Sequence, residues 1–221
     1  MKFRIREIKK EDLNSVLMLE QKTWGTNAAT KENLDSRFKV FPSGNLVAET
    51  EGKIIGFVSA VIINNKTFVE SRTWYDYTDN GNINAVFDKE GDILFGISLT
   101  VDPDFRQHKV GSKLLLQIAR MAIEHRVKFG VLGGRIPYYH KYMEIPVEEY
   151  ILMKNKKGKI LDPELRLYRR MGLEVVKVQK DYFRDPDSLN YGVILKWNNP
   201  FYHLTKRLPF FARPLSFLFK I

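Results

Sequence analysis

The run Arg106-Gln107-His108-Lys109-Val110-Gly111-Ser112 combines cationic and ionisable side chains with a glycine and a hydroxyl. Those residue types suit a polyanion such as a pyrophosphate. Such a group is held best where unpaired backbone N–H groups and the positive end of a helix dipole meet it. The flanking sequence supplies both. Ile93 to Val101 is apolar and ends in β-forming residues, which predicts a buried strand. Asp102-Pro103-Asp104 is a turn signal, because proline presets φ and aspartate bonds nearby N–H groups. Val110, Leu114, Leu115, Ile118, Met121 and Ala122 then recur at helical spacing and predict an amphipathic helix. The loop therefore sits at a strand–helix joint.

With these elements in place, "VDPDFRQHKVGSKLL" resembles the acyl-CoA-binding motif of the GNAT superfamily of N-acyltransferases. Arg106 matches the motif's first position and Gly111 its last. Lys109 stands where the first glycine is expected; it removes a small residue and adds a charge. The resemblance implies that Arg106, Gln107, His108, Lys109, Val110, Gly111 and Ser112 hold the cofactor phosphates. It also implies that the backbone at Leu99, Thr100 and Val101 holds the acyl carbonyl.

The whole chain sets wider bounds. Its 221 residues suit one domain, or one domain with an appendage. The formal charge of +10 favours acidic partners without choosing among nucleic acid, anionic membrane and a polyanionic cofactor. The absence of cysteine excludes disulfides, thiol nucleophiles and thiolate-ligated metals. Four scattered histidines have no metal-ligand spacing, so no metal is expected. The start is too charged for a signal peptide and no apolar run reaches transmembrane length, so the default compartment is the cytoplasm.

Taken in order, Phe3, Ile5 and Ile8 predict a short strand, and Leu13, Val16, Leu17 and Leu19 a helix opened by Glu11-Asp12. Thr30 is a plausible N-cap for a helix through Phe38. Asn45–Thr50 and Lys53–Ile63 read as strands joined by a tight turn. Residues 65–91 read as irregular, with a strong turn at Asp79-Asn80-Gly81. If the aromatic cluster before it were a strand, Tyr75 and Tyr77 would share one face and Trp74 the other. Either face could wall a substrate cleft; packing on the core is the commoner role for such residues.

Lys128 to Leu132 predicts the next strand, ending in Gly133-Gly134-Arg135-Ile136-Pro137-Tyr138-Tyr139. Paired glycines mark a sharp turn or a close approach. Arg135 is suited to a carboxylate or phosphate, or equally to a structural ion pair. One GNAT branch, some of whose members are joined to a carbon–nitrogen hydrolase domain, has a similar "GGRIP-x-Y" segment. Trp74, Tyr77, Arg135 and Tyr138 are the substrate-binding candidates. Pro146 is expected to open a short helix that could cover the acceptor site.

Asp162-Pro163-Glu164 is a helix start, with an acidic N-cap, proline first and acid in the first turn. "LRLYRRMGLEVV" resembles the second GNAT signature, and by residue match Tyr168 takes the family's role of protonating the leaving thiolate. Its alternative role is to anchor the helix to the sheet. Leu173–Val178 and Tyr191–Trp197 read as the last strands.

Residues 198–221 form a basic, aromatic C-terminal arm interrupted by Pro209 and Pro214. Its composition suits peripheral contact with an anionic membrane, or packing on its own domain or a dimer mate. Nucleic acid ranks low, since no recognition motif accompanies the charge. The resemblance implies an α/β (α+β) fold over residues 1–197: a three-layer arrangement with a mixed, mostly antiparallel sheet splayed at its centre and helices on both faces. It implies N-acetylation, with acetyl-CoA as cosubstrate and a small-molecule or peptide amine attacking directly; homodimers are common in the family. The competing reading is a non-catalytic acyl-CoA-binding or regulatory module. Candidate bases are Glu144, Glu148, Glu149, Asp76 and His140, and nothing in the sequence selects one.

Overall fold

Alternating apolar residues and tight turns give seven strands, and the stretches between them give helices. The computed structural model describes residues 1–220. In chain order the elements are β1 (Arg4–Glu7), α1 (Leu13–Trp24), α2 (Lys31–Val40), β2 (Asn45–Thr50), β3 (Lys53–Ile63), α3 (Asn65–Glu70), α4 (Trp74–Thr78), β4 (Ile93–Val101), α5 (Val110–Glu124), β5 (Phe129–Gly134), α6 (Val147–Tyr150), α7 (Pro163–Arg170), β6 (Glu174–Gln179), β7 (Gly192–Asn198), α8 (Tyr202–Arg207) and α9 (Ala212–Leu218).

The sheet runs β1-β2-β3-β4-β5-β7-β6. Every neighbouring pair is antiparallel except β4 and β5, which are parallel. That pair is joined only from Ile93–Phe129 to Gly96–Leu132. Beyond it β4 stays with β3, and Gly133 and Gly134 of β5 stay with β7. The sheet is therefore split at its centre. A register slip between Ser59 and Ala60 leaves Ile97 as the extra residue of β4 at the point of division. A bulge there bends the strand and frees ladder groups.

Side-chain alternation assigns the two faces. Val47 and Phe57 pack with Val16 and Leu34 under α1 and α2. Ala48 and Val58 pack with Val110 and Leu114 of α5 on the opposite face. Leu165 and Tyr168 of α7, with Met171 just after it, join Leu115 of α5 there.

Local signals acted as expected at several helix starts. The Thr30 side chain accepts the Asn33 N–H (3.2 Å), and Asn33 returns the bond to the Thr30 N–H (3.1 Å). Such a cap contributes about 1 kcal/mol. Asp79, Asn80 and Gly81 have φ of 52°, 54° and 87°, all in the left-handed region.

Two expectations need correction. Residues 65–91, expected to be irregular, hold the two short helices α3 and α4, so the alternation of a strand does not apply to residues 74–78. The cause is local: Thr73 accepts the Asp76 N–H (3.2 Å), while the Asp76 carboxylate accepts the Thr73 N–H (2.8 Å). Pro146 caps α6 from outside instead of forming its first residue. The C-terminal arm packs on α5: Ser216 donates to Glu124 (2.6 Å) and Arg120 to the Phe219 carbonyl (3.2 Å). No helix among the described residues is long and apolar enough to cross a membrane.

Candidate active site

The split between β4 and β5 opens into a cavity of about 300 Å³. Leu94, Leu99, Leu115, Ile118 and Leu132 make its apolar wall. Its polar groups come from widely separated parts of the chain: Glu20 and Trp24 of α1, Arg37 of α2, Arg135 after β5, and Glu164 and Tyr168 of α7.

Helix α7 carries the pair best suited to proton transfer. Asp162 caps it, accepting from the Glu164 N–H (3.0 Å) and the Leu165 N–H (3.1 Å). Glu164 and Tyr168 are four residues apart, so they lie on one helix face, and both line the cavity. Burial pushes the Glu164 carboxyl up to about 7, partly offset by the Arg135 guanidinium and reinforced by Asp162 and Asp185. Burial, with the nearby Glu164, also pushes the Tyr168 phenol well above its ordinary range. Near neutral pH this face offers a carboxyl poised to take a proton and a phenol that retains one.

The paired glycines have a steric cause. A Cβ on Gly133 would lie 2.2 Å from the Tyr182 ring, and one on Gly134 would lie 3.1 Å from the Tyr168 ring. Larger residues would therefore displace the tyrosines that approach β5. Arg135 forms the structural ion pair foreseen as one of its two roles. Its Nε and Nη2 donate to the two carboxylate oxygens of Asp185 (2.9 and 3.0 Å). Its Nη1 lies 3.7 Å from Glu164, and its guanidinium sits 5.3 Å above the Trp24 ring.

On the α1–α2 side, the Thr100 hydroxyl accepts from Trp24 Nε1 (2.7 Å) and donates to buried Glu20. Burial raises the pKa of that carboxyl. Trp74 Nε1 donates to the Ile97 carbonyl at the bulge (3.0 Å), which fixes α4 against the split.

The cofactor loop lies outside the cavity. The α5 ladder begins with the Lys113 N–H donating to the Lys109 carbonyl (3.1 Å), so the preceding N–H groups lack intrahelical partners. Arg106, Gln107, His108 and Lys109 are exposed around them. Lys109 has φ 60° and ψ 23°, so a lysine adopts the left-handed conformation that glycine takes more easily. A Cβ on Gly111 would make ordinary contacts with Val101 (3.6 Å), Leu167 (3.8 Å) and Leu99 (3.9 Å), so packing does not by itself demand glycine there. Exposed cations and free N–H groups fit a pyrophosphate.

The family described as Acetyltransferase (GNAT) family matches residues 11–141. The chain belongs to the GNAT acetyltransferase family. It is 34% identical over 176 residues to the Uncharacterized N-acetyltransferase YkwB of Bacillus subtilis, covering 78% of this chain and 76% of that one. It is 32% identical over 198 residues to the Probable hydrolase YhcX of the same organism, covering 88% of this chain but 38% of that longer protein. Among solved structures, the loading GNATL domain of CurA from Lyngbya majuscula has a TM-score of 0.77 at 23% identity, with 90% and 98% of the two chains covered. The GphF GNAT-like decarboxylase in complex with isobutyryl-CoA has a TM-score of 0.73 at 26% identity, with 89% and 99% covered. The fold is the GNAT fold, and an acyl-CoA cosubstrate suits it.

Within this GNAT site, Leu99, Trp74, Arg135 and Tyr168 line the cavity as the sequence suggested. Others do not. Tyr77 is fully buried, stacks on Phe95 at 4.5 Å and donates to the Phe68 carbonyl (3.2 Å), so it belongs to the core. Tyr138 is exposed and outside the cavity lining, with Lys141 over its ring. Val110 is buried against β2 and β3, leaving only its backbone N–H for the loop's chemistry. The Thr100 side chain faces α1, on the opposite side of the sheet from Leu99 and Val101. Glu144, Glu148, Glu149 and Asp76 are exposed, and none of these or His140 lines the cavity.

The sequence reading missed Glu20, Trp24, Arg37 and the proton-accepting potential of Glu164. For Glu164 a signal existed, namely its four-residue spacing from Tyr168. Among the described residues no cluster of side chains could hold a metal ion.

Proposed function

We propose that this chain is an acyl-CoA-dependent N-acyltransferase that passes an acetyl group from acetyl-CoA to an amine by direct attack. The observation that carries the reading is the pairing of Glu164 and Tyr168 on one face of α7, inside the cavity at the split. Glu164 takes the proton from the attacking amine as the C–N bond forms. As the C–S bond breaks, the Tyr168 hydroxyl gives its proton to the departing sulfur. A Glu164 carboxyl raised to about 7 is partly ionised near neutral pH and can take the proton, while the Tyr168 phenol keeps its own until the sulfur departs. The free edge of β4 from Ile97 to Val101 orients the acyl carbonyl, and the loop from Arg106 to Ser112 holds the pyrophosphate. The acceptor enters between α1, α2 and α4, beside Trp24 and Trp74.

The test is thiol release from acetyl-CoA with a panel of amines, run with calorimetric acetyl-CoA binding. Amine-dependent release supports the reading. Binding with no release under any amine would favour the non-catalytic acyl-CoA-binding module.

A second reading follows from the likeness to the GphF GNAT-like decarboxylase. The enclosed apolar wall beside buried arginine favours loss of CO2 from a carboxyacyl-CoA. Amine-independent CO2 release from malonyl-CoA would select it. We assign the arm from residue 198 onward to covering α5. The partners it could bring, a second copy or an anionic membrane, are separated by sedimentation with and without phosphatidylserine vesicles.

A further inference from the structure

The cavity holds a cation that the protein does not neutralise. Arg37 is 1% exposed and lines the cavity from α2. Its Nε donates to the Gly81 carbonyl (2.8 Å). Its Nη1 is buried without a hydrogen-bond partner. Desolvation lowers its pKa only to about 10, so it remains charged near neutral pH. Glu20 acts on it through space, but no ion pair within 4.0 Å joins Arg37 to an acid among the described residues.

A second orphan lies on the same side. Ser98 lines the cavity, and its Oγ is buried without a partner. Ser98 lies two residues before Thr100 on β4, past the bulge, and so shares the face that Thr100 turns to α1. Its cross-strand neighbour Ser59 donates to Asn45 (2.8 Å), and Asn45 donates to the Arg37 carbonyl (3.2 Å). Ser98 and Arg37 both line the cavity, one from the sheet and one from α2.

The Arg37 backbone and helix are held rigidly. Asn33 donates to the Asn80 carbonyl (3.2 Å), and Ser36 to the Asn82 carbonyl (2.6 Å), so α2 is fastened to the left-handed turn at residues 79–81. That fastening and the Nε bond account for a structural role. They leave Nη1 and the Ser98 hydroxyl as unused donors. A buried unpaired donor costs about 1–3 kcal/mol, more when charged, and a bound anion removes that cost.

We propose that Arg37 and Ser98 form a carboxylate-binding subsite, so that the acceptor is an amine bearing a carboxylate, an amino-acid-type molecule. The identification of the ligand as the acceptor rests on the N-acyltransferase reading; the subsite for a carboxylate does not. Arg37 receives one carboxylate oxygen and the Ser98 hydroxyl donates to the carboxylate. The amine is then directed across the cavity toward the thioester.

All three tryptophans, Trp24, Trp74 and Trp197, line the cavity, so intrinsic fluorescence reports its occupancy. The full chain, saturated with CoA, is titrated with butyrate and with butyramide as shape-matched probes. Butyrate should change the emission saturably and bind about ten- to a hundredfold more tightly than butyramide. Arg37→Gln should abolish that preference, and Ser98→Ala should reduce it. The wild-type comparison decides the matter even if Arg37→Gln fails to fold. Equal binding of the two probes, no butyrate binding, or a preference retained in a folded Arg37→Gln protein would each overturn the subsite.

A kinetic arm identifies the source of the carboxylate. Thiol release from acetyl-CoA is compared for glycine, leucine and phenylalanine against their amides. Preference for the acids, lost in Arg37→Gln, supports the acceptor; equal use of the amides overturns the acceptor assignment. If no amine is used while butyrate binds, the N-acyltransferase reading fails and the carboxylate subsite stands.

Discussion

The proposed phosphate loop and the central cavity use the same kinds of residue under opposite physical conditions. In the loop, Arg106, His108 and Lys109 are exposed and lie within a few residues of one another. Water and salt screen them, so each contributes little alone and they act together with the helix N-terminus. In the cavity, Glu20 and Arg37 are buried and Arg135 and Glu164 half-buried, drawn together from distant elements. There desolvation alters protonation, as the rise of Glu164 to about 7 against the pull of Arg135 illustrates. Exposed charge suits holding a flexible polyanion, whereas buried charge suits moving a proton.

The contrast is broken most directly at α7. Glu164→Gln and Tyr168→Phe should each lower kcat about 10²- to 10⁴-fold while leaving acetyl-CoA affinity nearly unchanged. Steady-state thiol release and calorimetry check this pair; an equal loss of binding would move these residues from chemistry to cofactor holding. The sign of the pH dependence follows from the base. Ionised Glu164 is the active form, so kcat/KM should rise with pH through about 7, and Glu164→Gln should lack that limb.

Gly111→Trp should do the reverse. From a Cβ already in contact with Val101, Leu167 and Leu99, the indole would project over the α5 N-terminus, and acetyl-CoA binding should weaken about a hundredfold or more, an effect of about 2.7 kcal/mol. Unchanged calorimetric affinity would remove the loop from the cofactor site.

Burial should also separate the two kinds of ion pair. Asp185→Ala strands the half-buried Arg135 and should cost about 2–3 kcal/mol in urea unfolding. Asp104→Ala removes an exposed partner of Lys22 and should leave stability nearly unchanged. Similar losses at both positions would deny the cavity its low-dielectric character.

Lys109→Gly is the smallest test. Relief of the left-handed conformation should stabilise the fold by up to about 1 kcal/mol, while loss of the charge should weaken acetyl-CoA binding slightly and reduce its salt dependence. A destabilised variant would mean that the lysine side chain supports the loop through packing.

Features governed by adjacent residues were legible in the sequence. Thr30 and Asp162 cap the helices they precede, and Asp79-Asn80-Gly81 takes up its positive φ values. The strand–loop–helix joint from Ile93 to Glu124 follows from periodicity and one turn. In each case the interacting groups lie within a few residues, so spacing alone brings them together. The same reasoning was weakest at Trp74–Thr78, where a two-residue capping exchange chose helix and sent Tyr77 into the core.

The character of the cavity was decided by tertiary structure. Thr100 meets Glu20 across 80 positions, and Arg135 meets Asp185 across 50. Glu164 appears in the sequence only as acid in a first turn. It becomes a candidate base because the fold half-buries it against the cavity and places Arg135 beside it, with desolvation raising its pKa. Arg37 likewise reads as one cation among many on a helix. Only its burial with Nη1 left unpartnered marks it as a candidate for recognition. Sequence spacing fixes backbone geometry over a turn or two, whereas desolvation depends on what packs above and below a group, and that is known only once the chain has folded.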